Sequence, residues 1–276
     1  MSENLSRTQP YNLMKQCITL VALLTAGSAL ANASTLLGEW DFSSATIGSD
    51  GAIAATAGES GLSMITYGQT LSDGVLNFSS AATTDYAKID VSSLAIGPCS
   101  GDTDDSNTFT LAITLTSFTV PSSGTSMLWS AAIDANATVG TSKYTTGVGV
   151  TPTLVSGMWS GSSSGRANSN TAQDLIGAAS VAEPVTVISI VSSEGFSLYI
   201  DGVEQFSDTA LKWSSGNLAE LFFGNWSSGQ ANAVATMSVS NVALYRGVFI
   251  PEPSAFGLLA GLGALALAGT RRRRGK

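Results

Sequence analysis

The chain has 276 residues, a formal net charge of −8 and a charged fraction of only 12%. It contains no histidine, which excludes Ser-His-Asp triads, Cys-His dyads and the common histidine-based zinc sites. Residues 34–250 carry five basic and 18 acidic side chains, a net charge of −13. Such a field repels phosphate backbones, so nucleic acid is not an expected partner.

Residues 1–33 have the pattern of a secretory signal peptide. Basic residues precede the apolar run 17–26, and small residues follow it up to Ala33. The run is too short to span about 30 Å of hydrocarbon, which favours a cleaved signal over a membrane helix. We therefore expect signal peptidase to cut after Ala33 and the rest of the chain to be exported.

Residues 34–249 are expected to form one all-β domain, because Ser, Thr, Gly and β-branched residues favour strands and tight turns. Residues 36–42 predict an opening strand, whereas residues 43–61 show little periodicity and are expected to be irregular. Residues 107–120 alternate between apolar and polar side chains. A shift of that alternation at Phe118 predicts a bulge or bend.

The second half of this domain is typical of antiparallel strands joined by tight turns. Its strand-like segments are 185–191, 196–200, 219–226 and 235–245. Gly195 supplies the turn of a hairpin between the first two segments, and Asp201-Gly202 predicts a second tight turn. Many short strands without a helical stripe predict a β-sandwich.

Four of these segments carry a resemblance to a known family. Residues 196–204, 221–225 and 240–245 resemble the closing strands of LamG-like, concanavalin A-like jelly rolls, and Glu39-Trp-Asp-Phe42 is similar to their opening strand. The resemblance implies two packed antiparallel sheets with ligands bound by rim loops or by a concave face.

Three tryptophans are candidate ligand-binding residues, namely Trp159, Trp213 and Trp226. Trp159 and Trp213 lie in Ser- and Gly-rich loop contexts, where an exposed ring can stack on a sugar, and Trp226 is the third candidate. The alternative is packing beneath the loops, because tryptophan is largely buried on average. Trp40 and Trp129 are expected in the core.

One acidic loop is a candidate calcium site. Its oxygen-bearing side chains are Asp102, Asp104, Asp105 and Asn107. Calcium takes six to eight oxygen ligands from such loops, but this spacing lacks the glycine and the distal glutamate of an EF-hand. A solvated acidic loop is the alternative. Calcium is the one cofactor that the sequence suggests.

The opening strand carries two carboxylates of the kind that glycosidases use. Glycoside hydrolysis uses two carboxylates about 5 to 10 Å apart. Glu39-Trp-Asp41 begins like the Glu-x-Asp core of laminarinase-type enzymes, but Ser43 and Ser44 stand where the second glutamate should follow. We therefore predict no catalytic residue and a chain that is not an enzyme.

Residues 250–276 contain three parts in order. They are the tripeptide Pro251-Glu252-Pro253, the apolar stretch 255–269, and a basic cluster formed by Arg271, Arg272, Arg273 and Arg274. Together they resemble the PEP-CTERM sorting signal. The apolar stretch is roughly 24 Å long as a helix, just enough to cross a bilayer with help from its flanks. The arginines favour a cytoplasmic C-terminus.

The resemblance to PEP-CTERM proteins implies an exosortase as a processing partner, which cuts near Pro-Glu-Pro and releases or transfers the protein. A plain C-terminal membrane anchor is the alternative. We expect export across the inner membrane to the cell envelope, the cell surface or the medium, with a C-terminal membrane helix before processing.

These observations predict a cell-surface or extracellular-matrix protein with a non-catalytic, glycan-binding jelly roll and extracellular polysaccharide as a partner. Two alternatives remain. One is an extracellular glycan hydrolase of concanavalin A-like fold, which would show as two acids facing each other in the groove. The other is a purely structural component of extracellular polymer.

Overall fold

The computed structural model describes residues 34–59, 61–79, 85–97, 107–132, 144–159, 172–209, 217–225 and 235–250. The predicted signal peptide, 1–33, and the predicted sorting tail from Pro251 onward lie outside these ranges. Within them, no helix combines the length and the apolar character needed to cross a membrane.

The described part of the chain is built almost entirely from strands. In chain order these are β1 (Thr35–Asp41), β2 (Ala52–Ala54), β3 (Ala57–Gly58), β4 (Ser63–Tyr67), β5 (Thr70–Ser72), β6 (Val75–Phe78), β7 (Tyr86–Asp90), β8 (Phe109–Phe118), β9 (Ser126–Ala132), β10 (Tyr144–Val150), β11 (Val155–Trp159), β12 (Val185–Ser192), β13 (Gly195–Ile200), β14 (Val203–Asp208), β15 (Glu220–Phe223) and β16 (Met237–Arg246). A 3-10 turn at Ser92–Leu94 and a π-helical turn at Gln173–Gly177 interrupt them.

The strands form two antiparallel sheets. Sheet I has the order β14-β13-β12-β8-β16-β1-β3, and β6 joins it beside the first half of β16, with β5 paired to β6. Sheet II has the order β11-β10-β9-β15-β7-β4-β2. An all-β sandwich of two antiparallel sheets is therefore the observed architecture, as the sequence predicts.

The predicted strands and turns agree closely with the observed ones. The hairpin runs from β12 to β13 with Ser192 opposite Gly195, whose φ is +131°. Asp201 and Gly202, with φ values of +50° and +78°, form the next tight turn. The pairing of β8 with β16 shifts register between Thr114 and Ser117, just before Phe118, where the shifted alternation predicts a bulge or bend. The stretch 43–61 differs from expectation, because it contributes the short strands β2 and β3.

Two tryptophans join the sheets across the core. Trp129 on β9 donates from Nε1 to Ser189 Oγ on β12 at 3.0 Å, and Trp40 on β1 donates to the carbonyl of Ile53 on β2 at 3.1 Å. Both rings are fully buried, so their predicted core placement is confirmed. At the edges of the two sheets, Gly157 lies against the stacked rings of Phe196 and Phe206.

After β16 the chain turns back over the outer face of sheet I. Gly247 makes the turn with a φ of +86°. The hydroxyl of Thr110 on β8 donates to the Gly247 carbonyl at 2.8 Å and accepts from the Phe249 backbone N–H at 3.0 Å. The Phe249 ring stacks on Tyr245 with centroids 4.0 Å apart. The chain is thus held on the sandwich up to Phe249, two residues before Pro251.

Candidate functional site

The outer face of sheet II carries charged and aromatic side chains at its centre. On β7, Ala87 and Ile89 point into the core and are fully buried. Because side chains alternate along a strand, Tyr86, Lys88 and Asp90 project from the opposite face. The residues beside them on the neighbouring strands complete this face, which we call the outer face of sheet II.

An ion pair links β7 to β15 on this face. Lys88 Nζ lies 2.7 Å from Glu220 Oε1. The Glu220 side chain is only 4% exposed and the Lys88 side chain 27% exposed. Burial alone would lower the pKa of the Lys88 ammonium, but the hydrogen bond and the charge of Glu220 outweigh burial and raise this pKa above its ordinary value.

A second carboxylate lies next to Glu220. Asp90 is its direct partner across the β7–β15 pairing, so both side chains project from the same face. The Cβ atoms of such partners are about 4.5–5.5 Å apart. Asp90 is exposed, and its Oδ1 accepts hydrogen bonds from the backbone N–H and the hydroxyl of Ser92 at 2.9 and 2.6 Å. The face therefore holds two carboxylates at directly paired positions of adjacent strands.

Three aromatic rings lie in a row on the same face, and the row ends near these carboxylates. Tyr67 on β4 stacks on Tyr86 with centroids 4.6 Å apart, and Tyr86 contacts Phe222 on β15 at 5.7 Å. Phe222 is the cross-strand partner of Lys88 and is 4% exposed. Burial raises the pKa of the Tyr86 phenol, with Tyr67 adding to the increase and Lys88 opposing it.

The carboxylates of the opening strand lie elsewhere. Glu39 belongs to sheet I, and its Oε1 accepts a hydrogen bond from Asn241 Nδ2 at 2.9 Å. Asp41 Oδ1 accepts from the Ser43 backbone N–H at 2.9 Å. Both side chains therefore hold the strand and the turn after it.

Most of the predicted ligand-binding residues lie outside the described ranges. They are Trp213, Trp226, Asp102, Asp104 and Asp105. Trp159 ends β11, where its backbone pairs with Thr146. Asn107 Oδ1 accepts from the Gly97 backbone N–H at 2.9 Å, so this oxygen ties two loops together. Among the described residues, no group of three or more His, Cys, Asp or Glu side chains is placed to hold a metal ion.

Sequence reasoning missed the residues that the structure brings together. Lys88 and Glu220 are charged residues within otherwise apolar, alternating strands, and a charge at such a position signals an outward-facing site. The aromatic residues Tyr67 and Tyr86 give the same signal at the ends of their strands. Their assembly depends on the pairing of β15 with β7 and of β7 with β4, which no local pattern reveals.

No protein-family model and no curated protein sequence matches the chain. Solved structures with a similar fold do exist. Trypanosoma rangeli sialidase in complex with sialic acid matches with a TM-score of 0.56 at 16% identity, over 89% of this chain and 38% of the sialidase. Domain 4 of an extracellular GH43 arabinanase from Geobacillus stearothermophilus, in complex with arabinotriose, matches with a TM-score of 0.51 at 14% identity, over 80% of this chain and 96% of that domain.

A further complex of the Trypanosoma rangeli sialidase, with a difluorinated nononic acid, matches with a TM-score of 0.56 at 16% identity, over 79% of this chain and 31% of the sialidase. The chain thus spans about a third of the length of the sialidases that it matches. At these identities the likeness shows the fold alone, a β-sandwich.

The prediction of a non-catalytic glycan-binding domain, and with it the prediction that the chain is not an enzyme, is corrected by these findings. The reported neighbours come from a sialidase and an arabinanase. The physical ground for expecting no catalysis was the missing carboxylate partner in the opening strand. The structure instead places a carboxylate pair, Glu220 and Asp90, on the other sheet.

Proposed function

We propose that the chain is an extracellular glycan hydrolase whose site is the outer face of sheet II. The observation that carries this proposal is the cross-strand pair Glu220 and Asp90, set beside Lys88 and a row of aromatic rings. The structural neighbours support it, because they are a sialidase in complex with sialic acid and an arabinanase domain in complex with arabinotriose.

The two carboxylates suit different roles. Glu220 is almost fully buried and lies 2.7 Å from the Lys88 ammonium, which fits a carboxylate that stabilises the developing positive charge at the anomeric carbon. Asp90 is exposed on the same face, where the oxygen of a glycosidic bond can reach it, which fits the group that donates a proton to the leaving oxygen. Water then adds to the anomeric carbon, and the glycosidic bond is replaced by two hydroxyl groups.

The test is the release of reducing ends from a panel of soluble glycans that includes arabinan and sialyllactose. We expect wild type to release sugar from at least one of them, and Glu220→Gln and Asp90→Asn each to slow the release by at least about 100-fold. Glu194→Gln is the matched control, since Glu194 is an exposed acid in the β12–β13 turn of sheet I. Release of sugar that is unchanged by Glu220→Gln, or none from any glycan by folded wild type, would overturn the proposal.

We propose in addition that the sandwich is of the LamG-like, concanavalin A-like jelly-roll type. Support comes from the two packed antiparallel sheets and from the segments 196–204, 221–225 and 240–245, whose strands β13, β15 and β16 are observed. The same strand pairs place the carboxylates, because β15 brings Glu220 next to β7.

We also propose that the chain is an exported PEP-CTERM protein processed by an exosortase. Support comes from the apolar N-terminal run and from the three-part tail that begins at Pro251. Phe249, which precedes the tripeptide by two residues, is fixed on sheet I. Intact mass spectrometry in a host with an exosortase tests this. We expect loss of the residues after about Pro253 in wild type and an uncut tail in Glu252→Ala, and an uncut tail in both would indicate a plain anchor.

A further inference from the structure

The three aromatic rings on the outer face of sheet II form a row along which solvent exposure decreases. Tyr67 is 38% exposed, Tyr86 is half-buried and Phe222 is 4% exposed. They lie on the adjacent strands β4, β7 and β15, in that order. Adjacent strands are about 4.8 Å apart, so the row crosses the strands and ends beside the Lys88–Glu220 pair.

Tyr67 is held in place by its own loop. Its backbone N–H donates to Gln69 Oε1 at 2.8 Å, and Gln69 Nε2 donates back to the Tyr67 carbonyl at 3.1 Å. The Gln69 side chain is buried, with 7% of the residue exposed. Gly68 between them has a φ of +91° and packs against Asp85. An exposed aromatic ring on a fixed backbone is pre-organised for a ligand.

The charged side chains beside this row of rings favour neutral sugars over anionic ones. A sugar stacks on an aromatic ring through its C–H face, which needs no counter-charge. Of the described residues on this face, Lys88 is the cation, and it is neutralised by Glu220 at 2.7 Å. An anionic sugar that follows the row would therefore meet the carboxylates of Glu220 and Asp90.

We propose that Tyr67 is the stacking residue that receives an uncharged oligosaccharide, and that the half-buried Tyr86 beside it extends this contact toward the Lys88–Glu220 pair. This inference rests on the proposed function, because it names the substrate class of the same site. Gln69 is a positioning residue that acts through the Tyr67 backbone. Tyr67 and Tyr86 lie on adjacent strands, so an oligosaccharide that stacks on Tyr67 continues over the exposed part of Tyr86, and affinity rises with the length of the oligosaccharide.

The experiment measures binding by calorimetry with neutral oligomers of arabinose, glucose and N-acetylglucosamine of two to six units. Binding is measured in wild type and again in Glu220→Gln. For at least one series we expect the affinity of wild type to rise about tenfold or more with length. Tyr67→Ala removes that rise, and Tyr67→Trp restores it. Gln69→Ala raises KM several-fold with kcat unchanged, because it loosens the ring without touching the reacting bond.

The matched control is Tyr199→Ala, which removes a half-buried tyrosine from the outer face of sheet I and leaves the length dependence intact. Lactose and sialyllactose are compared to measure the effect of a negative charge on the ligand. Tighter binding of sialyllactose would contradict the proposal that the ligand is uncharged. Equal affinities for Tyr67→Ala and wild type, or no binding of any neutral oligomer, overturn the inference. Length-dependent binding without any turnover would instead overturn the hydrolase proposal and leave the role of Tyr67 standing.

Discussion

Lys88 and Glu220 are 132 residues apart in sequence, yet Lys88 Nζ lies 2.7 Å from Glu220 Oε1 on the neighbouring strands β7 and β15. Glu220 is almost fully buried, and a buried carboxylate is retained at low cost only when a cation and hydrogen bonds accompany it. The pair therefore connects the fold to the proposed chemistry. It requires the two central strands of sheet II to be paired in this register, and it keeps Glu220 charged.

The first prediction concerns the stability that this ion pair supports. Lys88→Met leaves the Glu220 carboxylate buried without its cation, and we expect the free energy of unfolding to fall by about 3 kcal/mol. The partial exposure of Lys88 keeps the loss at the lower end of the range for buried pairs. The double variant Lys88→Met/Glu220→Gln removes both charges and should recover at least half of this loss. Urea denaturation measures all three proteins, and a Lys88→Met variant as stable as wild type would contradict the prediction.

The second prediction concerns alkaline pH. The pKa of Lys88 is raised in the folded state, so its contribution to stability is complete below its ordinary pKa of about 10.4 and is lost as the pH rises through the folded pKa. Burial is the main cause that raises the pKa values of Tyr86, Tyr199 and Tyr245, because it disfavours their charged forms. Like Lys88, these tyrosines therefore make the free energy of unfolding decrease as the pH rises above about 10.

We therefore expect the free energy of unfolding to be nearly flat between about pH 7 and 9 and to fall steeply above about pH 10. Denaturation curves taken at intervals from neutral to alkaline pH measure this dependence. Tyr86→Phe removes one titrating group and should make the alkaline slope shallower. A slope that is the same in Tyr86→Phe and wild type would contradict the assignment of part of the effect to Tyr86.

Local patterns predict much of this fold because strand alternation and turn chemistry are local properties. The β12–β13 hairpin, the positive φ of Gly195 and the turn at Asp201-Gly202 all follow from adjacent residues. The short strands β2 and β3 carry no such signal, because two or three residues are too few to show an alternation. They are defined by pairing with β4 and β1.

The candidate site was harder to predict for the same reason. A local pattern points only to carboxylates that lie close in sequence, such as Glu39 and Asp41 in the opening strand. The structure assembles its pair from Asp90 and Glu220, whose strands are joined only by tertiary pairing. A glutamate followed by three apolar residues in β15 was the available signal, and its partner was invisible without the sheet order.

The third prediction tests the hydrogen bond that joins the sheets. Trp129 Nε1 donates to Ser189 Oγ at 3.0 Å, and both residues are buried. Ser189→Ala leaves the indole N–H without this acceptor, and we expect a loss of about 1–3 kcal/mol in the free energy of unfolding. The control is Ser197→Ala, which removes an exposed hydroxyl pair with Ser207 and should change stability by less than about 0.5 kcal/mol. Equal losses in the two variants would show that the bond across the core contributes nothing specific.

The fourth prediction concerns the edge where β11 of sheet II meets β13 and β14 of sheet I. A Cβ atom at Gly157 would lie 2.6 Å from Phe206 Cζ and 2.9 Å from Phe196 Cε1. Gly157→Ala therefore forces the stacked rings apart, and we expect a loss of about 1–3 kcal/mol in the free energy of unfolding from overpacking.

Phe206 is half-buried and lies on the edge strand β14, so a smaller side chain there makes room for the methyl group. Adding Phe206→Leu to the Gly157→Ala variant should restore part of the lost stability, whereas Phe206→Leu alone should destabilise the protein. If the loss of stability in the double variant equals the sum of the two single losses, the contact between Gly157 and Phe206 is not the cause of the loss.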